Sequence, residues 1–243
     1  MNFMNVLAIG NSFSEDATRY LHGIARADGM YTEIVGAAIG GCSLEWHYRH
    51  MLGDHKEYML FFNGAYTGFK TSLKEALLSR EWDVVTIQQV SHLSFKKDTY
   101  QPYVSALAAY IRQYAPKAKL LLQQTWAYEE GTDRLHNIAG YQTGDAMLAD
   151  IKKAYGEICD EVGFDGIIPS GEMFAQLLKL GIPKVHRDTF HATLGLGRYA
   201  LGLLWYRVLT GRSVENNSFC DFDEPISDEQ IAIVKKYVDS IAL

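Results

Sequence analysis

A serine placed just after an apolar run and a glycine is the first residue of this chain suited to nucleophilic chemistry. Val6-Leu-Ala-Ile9 leads into Gly10-Asn11-Ser12-Phe13-Ser14, and a helical pattern begins almost at once. A serine there lies beside the unpaired N–H groups of a helix start, which favour negative charge developing on oxygen. Serine is equally a preferred N-cap, so Ser12 or Ser14 could simply cap that helix; both roles hold if Ser14 caps and Ser12 reacts. Serine also needs a base held in place by a third group. Of the eight histidines, His191 has the best company, because Asp188-Thr-Phe-His191 sets a carboxylate three residues before it. In a tight turn that spacing lets Asp188 fix the imidazole tautomer while the other ring nitrogen faces the serine. The bland alternative is a surface-loop histidine with a capping aspartate.

Acyl transfer further requires N–H donors aimed at the developing oxyanion. Gly40-Gly41 can bring a backbone N–H close to another segment, since glycine lacks a Cβ. Gln88-Gln89 can present a side-chain amide at the end of an apolar run, although a Gln pair there could equally serve structural hydrogen bonding.

These residues must be positioned by a scaffold, and the chain alternates apolar runs with amphipathic segments, the pattern of a parallel sheet covered by helices on both faces. The runs predict about five strands, over residues 6–9, 32–39, 83–87, 119–125 and 166–169. Helices are predicted over 14–28, 71–79, 104–114, 141–162, 171–180, 194–210 and 228–241. Residues 44–68 are aromatic, His-bearing and irregular, and take no assignment. No repeat or Pro/Gly/Ser linker interrupts the chain, so residues 1–243 are expected to form one domain. Sheets of this kind bind ligands at the carboxyl ends of their strands, where Ser12, Gly41 and Gln89 all fall.

A net charge of −6 and a pI near 5.7 argue against nucleic acid as a partner. No apolar stretch is long enough to span a bilayer, so no membrane association is expected. No signal peptide is recognisable, which places the chain in the cytoplasm as written; a chain trimmed of its signal would look the same and be periplasmic or secreted. Three widely separated cysteines, Cys42, Cys159 and Cys220, suit neither a disulfide framework nor a zinc site.

The pattern of blocks resembles the SGNH/GDSL hydrolase superfamily over nearly the whole chain, and more narrowly a bacterial branch catalogued largely as a domain of unknown function. Gly10-Asn11-Ser12-Phe13-Ser14 looks like the family's Gly-Asp-Ser block, with Asn11 in place of the Asp. Gly41 in Ile39-Gly-Gly-Cys-Ser43 is similar to the second block, whose glycine N–H helps bind the oxyanion. Asp188-Thr-Phe-His191 matches the last block, which supplies acid and base. The third block departs from the common Gly-x-Asn-Asp form. Ile87-Gln-Gln-Val-Ser-His92 is closer to the Gln-Gly-Glu form of carbohydrate O-acetylesterase branches, which puts Gln89 in the oxyanion role; alignment on the glycine would instead put His92 there.

The resemblance implies a three-layer, flavodoxin-like α/β/α sandwich with a mostly parallel sheet, the SGNH hydrolase fold. It also implies a serine esterase working through an acyl-Ser12 intermediate without cofactor or metal. A carbohydrate O-acetyl ester is the substrate class it suggests, with Asn11, Gln88, His92, Trp126 and Tyr128 as possible binding residues; the two aromatics could offer a wall to a sugar ring or, as the plainer reading, simply pack in the core. The alternative is a glycan-binding protein on the same scaffold that has lost catalysis. A wide gap between Ser12 and His191 would favour that alternative. His47, His50, Asp54 and His55 invite a metal reading, but no ligand motif accompanies them, and a mobile, partly exposed segment is expected instead. Cys42 is expected to be a buried thiol rather than a nucleophile.

Overall fold

Strands covered on both faces require apolar residues in both side-chain directions, and the apolar runs supply them. The computed structural model describes residues 3–242. Its strands are β1 (Phe3–Gly10), β2 (Tyr31–Ala38), β3 (Tyr58–Phe62), β4 (Ala65–Thr71), β5 (Val84–Ile87), β6 (Lys119–Gln123) and β7 (Gly166–Ile168). They form one sheet in the order β4-β3-β2-β1-β5-β6-β7. Neighbours from β2 to β7 run parallel, with Val6 of β1 opposite Ile34 on one side and Val84 on the other.

The helices are α1 (Ser12–Thr18), α2 (Leu21–Ala27), α3 (Leu44–Gly53), α4 (Leu73–Leu78), α5 (Tyr103–Tyr114), α6 (Gly144–Val162), α7 (Ser170–Lys179), α8 (Leu196–Thr210) and α9 (Asp228–Ser240). Val6, Ala8, Ile34 and Val84 point into a core shared with α1, α2, α7, α8 and α9. Their neighbours Leu7, Ile9, Val35, Val85 and Ile87 point into a second core shared with α3, α4, α5 and α6. The result is the three-layer α/β/α arrangement, in which α8 is buried almost all round. No helix among the described residues is long and apolar enough to cross a membrane.

Two expectations are corrected. The sheet has seven strands rather than about five, because the unassigned stretch 44–68 contains α3 and much of an antiparallel hairpin, β3–β4, that extends the β2 edge. The hairpin turns at Asn63-Gly64, where φ is +50° and +82°, the left-handed pair that Asn-Gly favours between two strands. The helix expected over 14–28 is two helices. The break at Arg19-Tyr20 is held by long-range contacts: the Tyr20 hydroxyl donates to the Leu194 carbonyl at 2.7 Å and accepts from the Asp223 N–H at 2.6 Å.

The hairpin tip packs against this break. A Cβ built on Gly64 would lie 2.1 Å from the Arg19 carbonyl oxygen, whereas one on Gly68, also at positive φ, would meet nothing within 4 Å. Gly68→Ala should therefore cost about 1 kcal/mol of backbone strain. Gly64→Ala adds a steric clash and should cost about 2–4 kcal/mol. Urea unfolding of the two variants beside the wild type checks the difference.

Candidate active site

Ser12 is the first residue of α1, reached directly from the carboxyl end of β1. Asn11 is the N-cap of that helix and is almost wholly buried. Its Oδ1 accepts from the Phe13 N–H at 3.1 Å and from Gln88 Nε2 at 2.6 Å, and its Nδ2 donates to the Cys42 carbonyl at 3.1 Å. One side chain thus ties together the segments that follow β1, β2 and β5, and fixes the backbone that carries the serine.

The base comes from the segment between α7 and α8. Asp188 accepts the His191 backbone N–H at 2.9 Å on Oδ1 and contacts His191 Nδ1 at 2.7 Å through Oδ2. A carboxylate on Nδ1 requires the proton there, which leaves Nε2 as an acceptor. Nε2 lies 2.8 Å from Ser12 Oγ, across 179 residues of sequence. Desolvation would raise the Asp188 pKa, but the two hydrogen bonds from His191, with the charges of His191 and Arg187, hold it below the ordinary carboxylate value.

Thr189 sits at φ +76°, a conformation rare for a β-branched residue and costing roughly 1–3 kcal/mol. The surroundings hold it there. The Thr189 carbonyl accepts from the Glu129 N–H at 2.8 Å, its hydroxyl accepts from Arg134 Nε at 3.2 Å, and the Phe190 carbonyl accepts from the Trp126 indole N–H at 2.7 Å. Phe190 then packs its ring 3.8 Å from the His191 ring.

Asp16 lies one turn beyond Ser12 on α1 and has only 1% of its surface exposed. It accepts from Arg187 at 2.9 and 3.0 Å, from Arg198 Nε at 2.9 Å and from the Ala192 N–H at 3.2 Å. Arg187 and Ala192 flank Asp188 and His191, so this carboxylate fixes the serine helix against the loop that carries the base.

The N–H groups of Ser12 and Gly41 have no acceptor among the described residues. Gly41 has φ +64°, with open space around its missing side chain, so its N–H is available to a bound oxygen.

The family described as a domain of unknown function, DUF4886, matches residues 5–237. The chain belongs to the DUF4886 family. A crystal structure of a DUF4886 protein from Bacteroides uniformis is 31% identical and superposes with a TM-score of 0.87, covering 98% of this chain and 93% of that one. The lipase/acylhydrolase from Enterococcus faecalis (12% identical, TM-score 0.57, 86% and 96% covered) shares the fold. So does a family 3 carbohydrate esterase from Clostridium thermocellum (12%, TM-score 0.51, 86% and 98% covered). No curated protein matches. This DUF4886 chain also shares its fold with a putative SGNH hydrolase from Slackia heliotrinireducens (21% identical, TM-score 0.60, 85% and 98% covered).

Not every residue singled out from the sequence meets at this point. Ser12, Asp188 and His191 form one hydrogen-bonded chain, and Gly41 is on the loop after β2. Gln89 is corrected as an oxyanion donor. Its Nε2 donates to the Thr99 carbonyl and hydroxyl at 3.2 Å, and its Oε1 accepts from the Leu44 and Val90 N–H groups, so the amide is engaged on the α3 side of the sheet. His92 is exposed.

Asn11 and Gln88 are buried scaffold rather than binding residues. Trp126 and Tyr128 are also corrected: both are buried, Trp126 stacked 4.0 Å from the Phe13 ring and Tyr128 bonded to Ser91 Oγ at 3.0 Å, so neither offers a wall to a sugar. The stretch with His47 forms α3 and the turn after it and is partly exposed, as expected, at Asp54 and His55; His47 itself is fully buried with Nδ1 2.9 Å from the Tyr58 hydroxyl, and burial lowers its pKa to about 3. Among the described residues no three His, Cys, Asp or Glu side chains gather as metal ligands. Cys42 is buried, which pushes its thiol up to about 12.

Sequence reasoning missed Asp16, Arg187, Arg198, Phe190 and Arg134. Their signal was faint: an acid one turn after the serine, and a cation directly before Asp188. Asp16→Ala leaves two guanidinium groups facing a buried void. It should lower the unfolding free energy by about 3 kcal/mol and shift the loop that carries His191, so denaturant unfolding and ester turnover should fall together.

Proposed function

We propose that this protein is a serine esterase that cleaves a small acyl ester through an acyl-Ser12 intermediate. The observation that carries the reading is the 2.8 Å contact from Ser12 Oγ to His191 Nε2, with Asp188 fixing the opposite ring nitrogen at 2.7 Å. In this reading Ser12 Oγ attacks the ester carbonyl while His191 Nε2 takes its proton, and Asp188 stabilises the imidazolium. The N–H groups of Ser12 and Gly41 receive the oxyanion, with His92 as the candidate for a third donor. Collapse passes the proton from His191 to the leaving alcohol, and water, deprotonated by the same imidazole, releases the acid. Each oxyanion donor is worth roughly 3 kcal/mol of barrier.

An O-acetyl group on a carbohydrate is the proposed substrate class, supported by the shared fold with a carbohydrate esterase. The competing reading, a glycan-binding protein without catalysis, called for a wide gap between Ser12 and His191; the hydrogen-bonded contact favours the esterase.

Ser12→Ala should lower hydrolysis of a short-chain aryl acetate by about 10³-fold or more, and equal rates in the two proteins would remove Ser12 as nucleophile. Asp188→Asn should lower kcat by about 10³- to 10⁴-fold through the wrong imidazole tautomer. A panel of acetylated sugars and short acyl esters tests the carbohydrate assignment, which fails if the sugars are the poorest substrates of the set.

A further inference from the structure

Arg134 is a half-buried guanidinium beside the triad, and no acid among the described residues forms an ion pair with it. It opens a π-helical segment, Arg134–Ile138, a distortion frequent at functional sites. Its Cζ lies 3.8 Å from the centroid of the Phe190 ring and 5.5 Å from that of Tyr128, and its Nε donates to Thr189 Oγ1. The Phe190 centroid is also 3.8 Å from that of the His191 ring, so guanidinium and catalytic imidazole flank the same phenyl group. The nearby acids are engaged elsewhere: Glu129 with Lys184, Glu130 with the Gly144 N–H, and Asp188 with His191. Asp133 bonds to Asn137. His92 lies within reach of Arg134 and Lys96, whose charges, after desolvation, lower its pKa.

We propose that Arg134 is a specificity residue that binds an anionic group on the ester, so that favoured substrates carry a carboxylate, phosphate or sulfate near the scissile bond. This rests on the esterase reading. Stacking on Phe190, the Nε contact and the neighbouring Tyr128 hydroxyl hold the guanidinium plane, and the terminal N–H groups not turned to Tyr128 are suited to the oxygens of an anion. A planar, pre-oriented fork loses little entropy on binding, and burial beside aromatic rings strengthens the attraction. Lys96, exposed and on a flexible stem, adds charge without geometry.

The test compares 4-acetoxybenzoate with its neutral methyl ester, and adds 4-acetoxyphenyl phosphate and sulfate to distinguish the anions. Ratios of kcat/KM, anionic over neutral, are read in wild type and variants, which cancels the intrinsic reactivity of each ester. Arg134→Gln should lower the ratio by about 10- to 100-fold, mainly through KM. Arg134→Lys should restore part of it as a point charge. About 0.5 M NaCl, where the Debye length is roughly 4 Å, should lower the wild-type ratio. Equal losses on both esters would mean that Arg134 only braces Thr189, and that result, or an unchanged ratio, overturns the proposal. Binding of 4-acetoxybenzoate to Ser12→Ala and to Ser12→Ala/Arg134→Gln reads the same contact without turnover. If wild type cleaves no ester, the esterase reading fails while the binding pair still decides on Arg134: weaker binding in the double variant supports it, and equal binding sinks it.

Discussion

The buried carboxylate of Asp16 is the interaction on which the site depends. Removing a carboxylate from water costs several kcal/mol, offset only by excellent geometry and full hydrogen bonding. Asp16 meets both conditions, with two guanidinium groups and the Ala192 N–H on its two oxygens. An apolar cluster of equal volume could stabilise the fold as well. It could not dictate direction as a carboxylate does, and direction is what a contact between segments 179 residues apart in sequence requires. The network continues from Arg198 to Asp223 and on to Arg19, so α1, α8 and the segment before α9 share one set of charges.

Around that anchor, apolar packing and strain act on the base. Trp126 stacks on Phe13, the residue after the nucleophile, while its indole N–H holds the Phe190 carbonyl, the residue before the base. One buried side chain therefore touches both halves of the triad. The strained Thr189 is sustained by contacts from the segment after β6, and those contacts leave Asp188 facing the ring of His191. Gln88 and Gln123 continue the same support below α1, donating to Asn11 Oδ1 and to the Phe13 carbonyl. Polar residues at the strand ends are thus spent on fixing the serine loop.

Much of this was legible in the sequence, and the limits have physical causes. Ser12, Asp188 and His191 could be read because local grammar places them: a strand end, a helix start and an acid three residues before a base. The parallel strands and most helices followed from apolar runs. The 44–68 stretch did not, because Trp46, Leu52, Phe62 and Tyr66 are exposed and blur the periodicity; Asn63-Gly64 was the local clue. Gln88 and Gln89 show another limit. They follow β5 in extended chain, where consecutive residues face opposite ways, and the sequence does not say which one meets the serine; Gln88 does so through Asn11, and Gln89 turns to α3. Trp126 and Tyr128 stayed open between core packing and a sugar wall because an aromatic residue type does not report whether its ring faces solvent or core; both pack in the core. The partners of Asp16 lie 171 and 182 residues away, beyond any local pattern.

The charges around His191 bear on how binding and chemistry combine. In the proposed mechanism the imidazole that accepts the Ser12 proton becomes a cation, stabilised by Asp188 in direct contact and opposed by Arg134 across the Phe190 ring. Attraction at 2.7 Å outweighs repulsion through an interposed ring, so the proposed proton transfer does not require a bound anion. An anion seated on the Arg134 fork cancels the opposing charge and leaves Asp188 unopposed. The same contact that holds an acidic substrate then also eases formation of the imidazolium, which is how binding energy distant from the reacting carbonyl can lower the barrier at it.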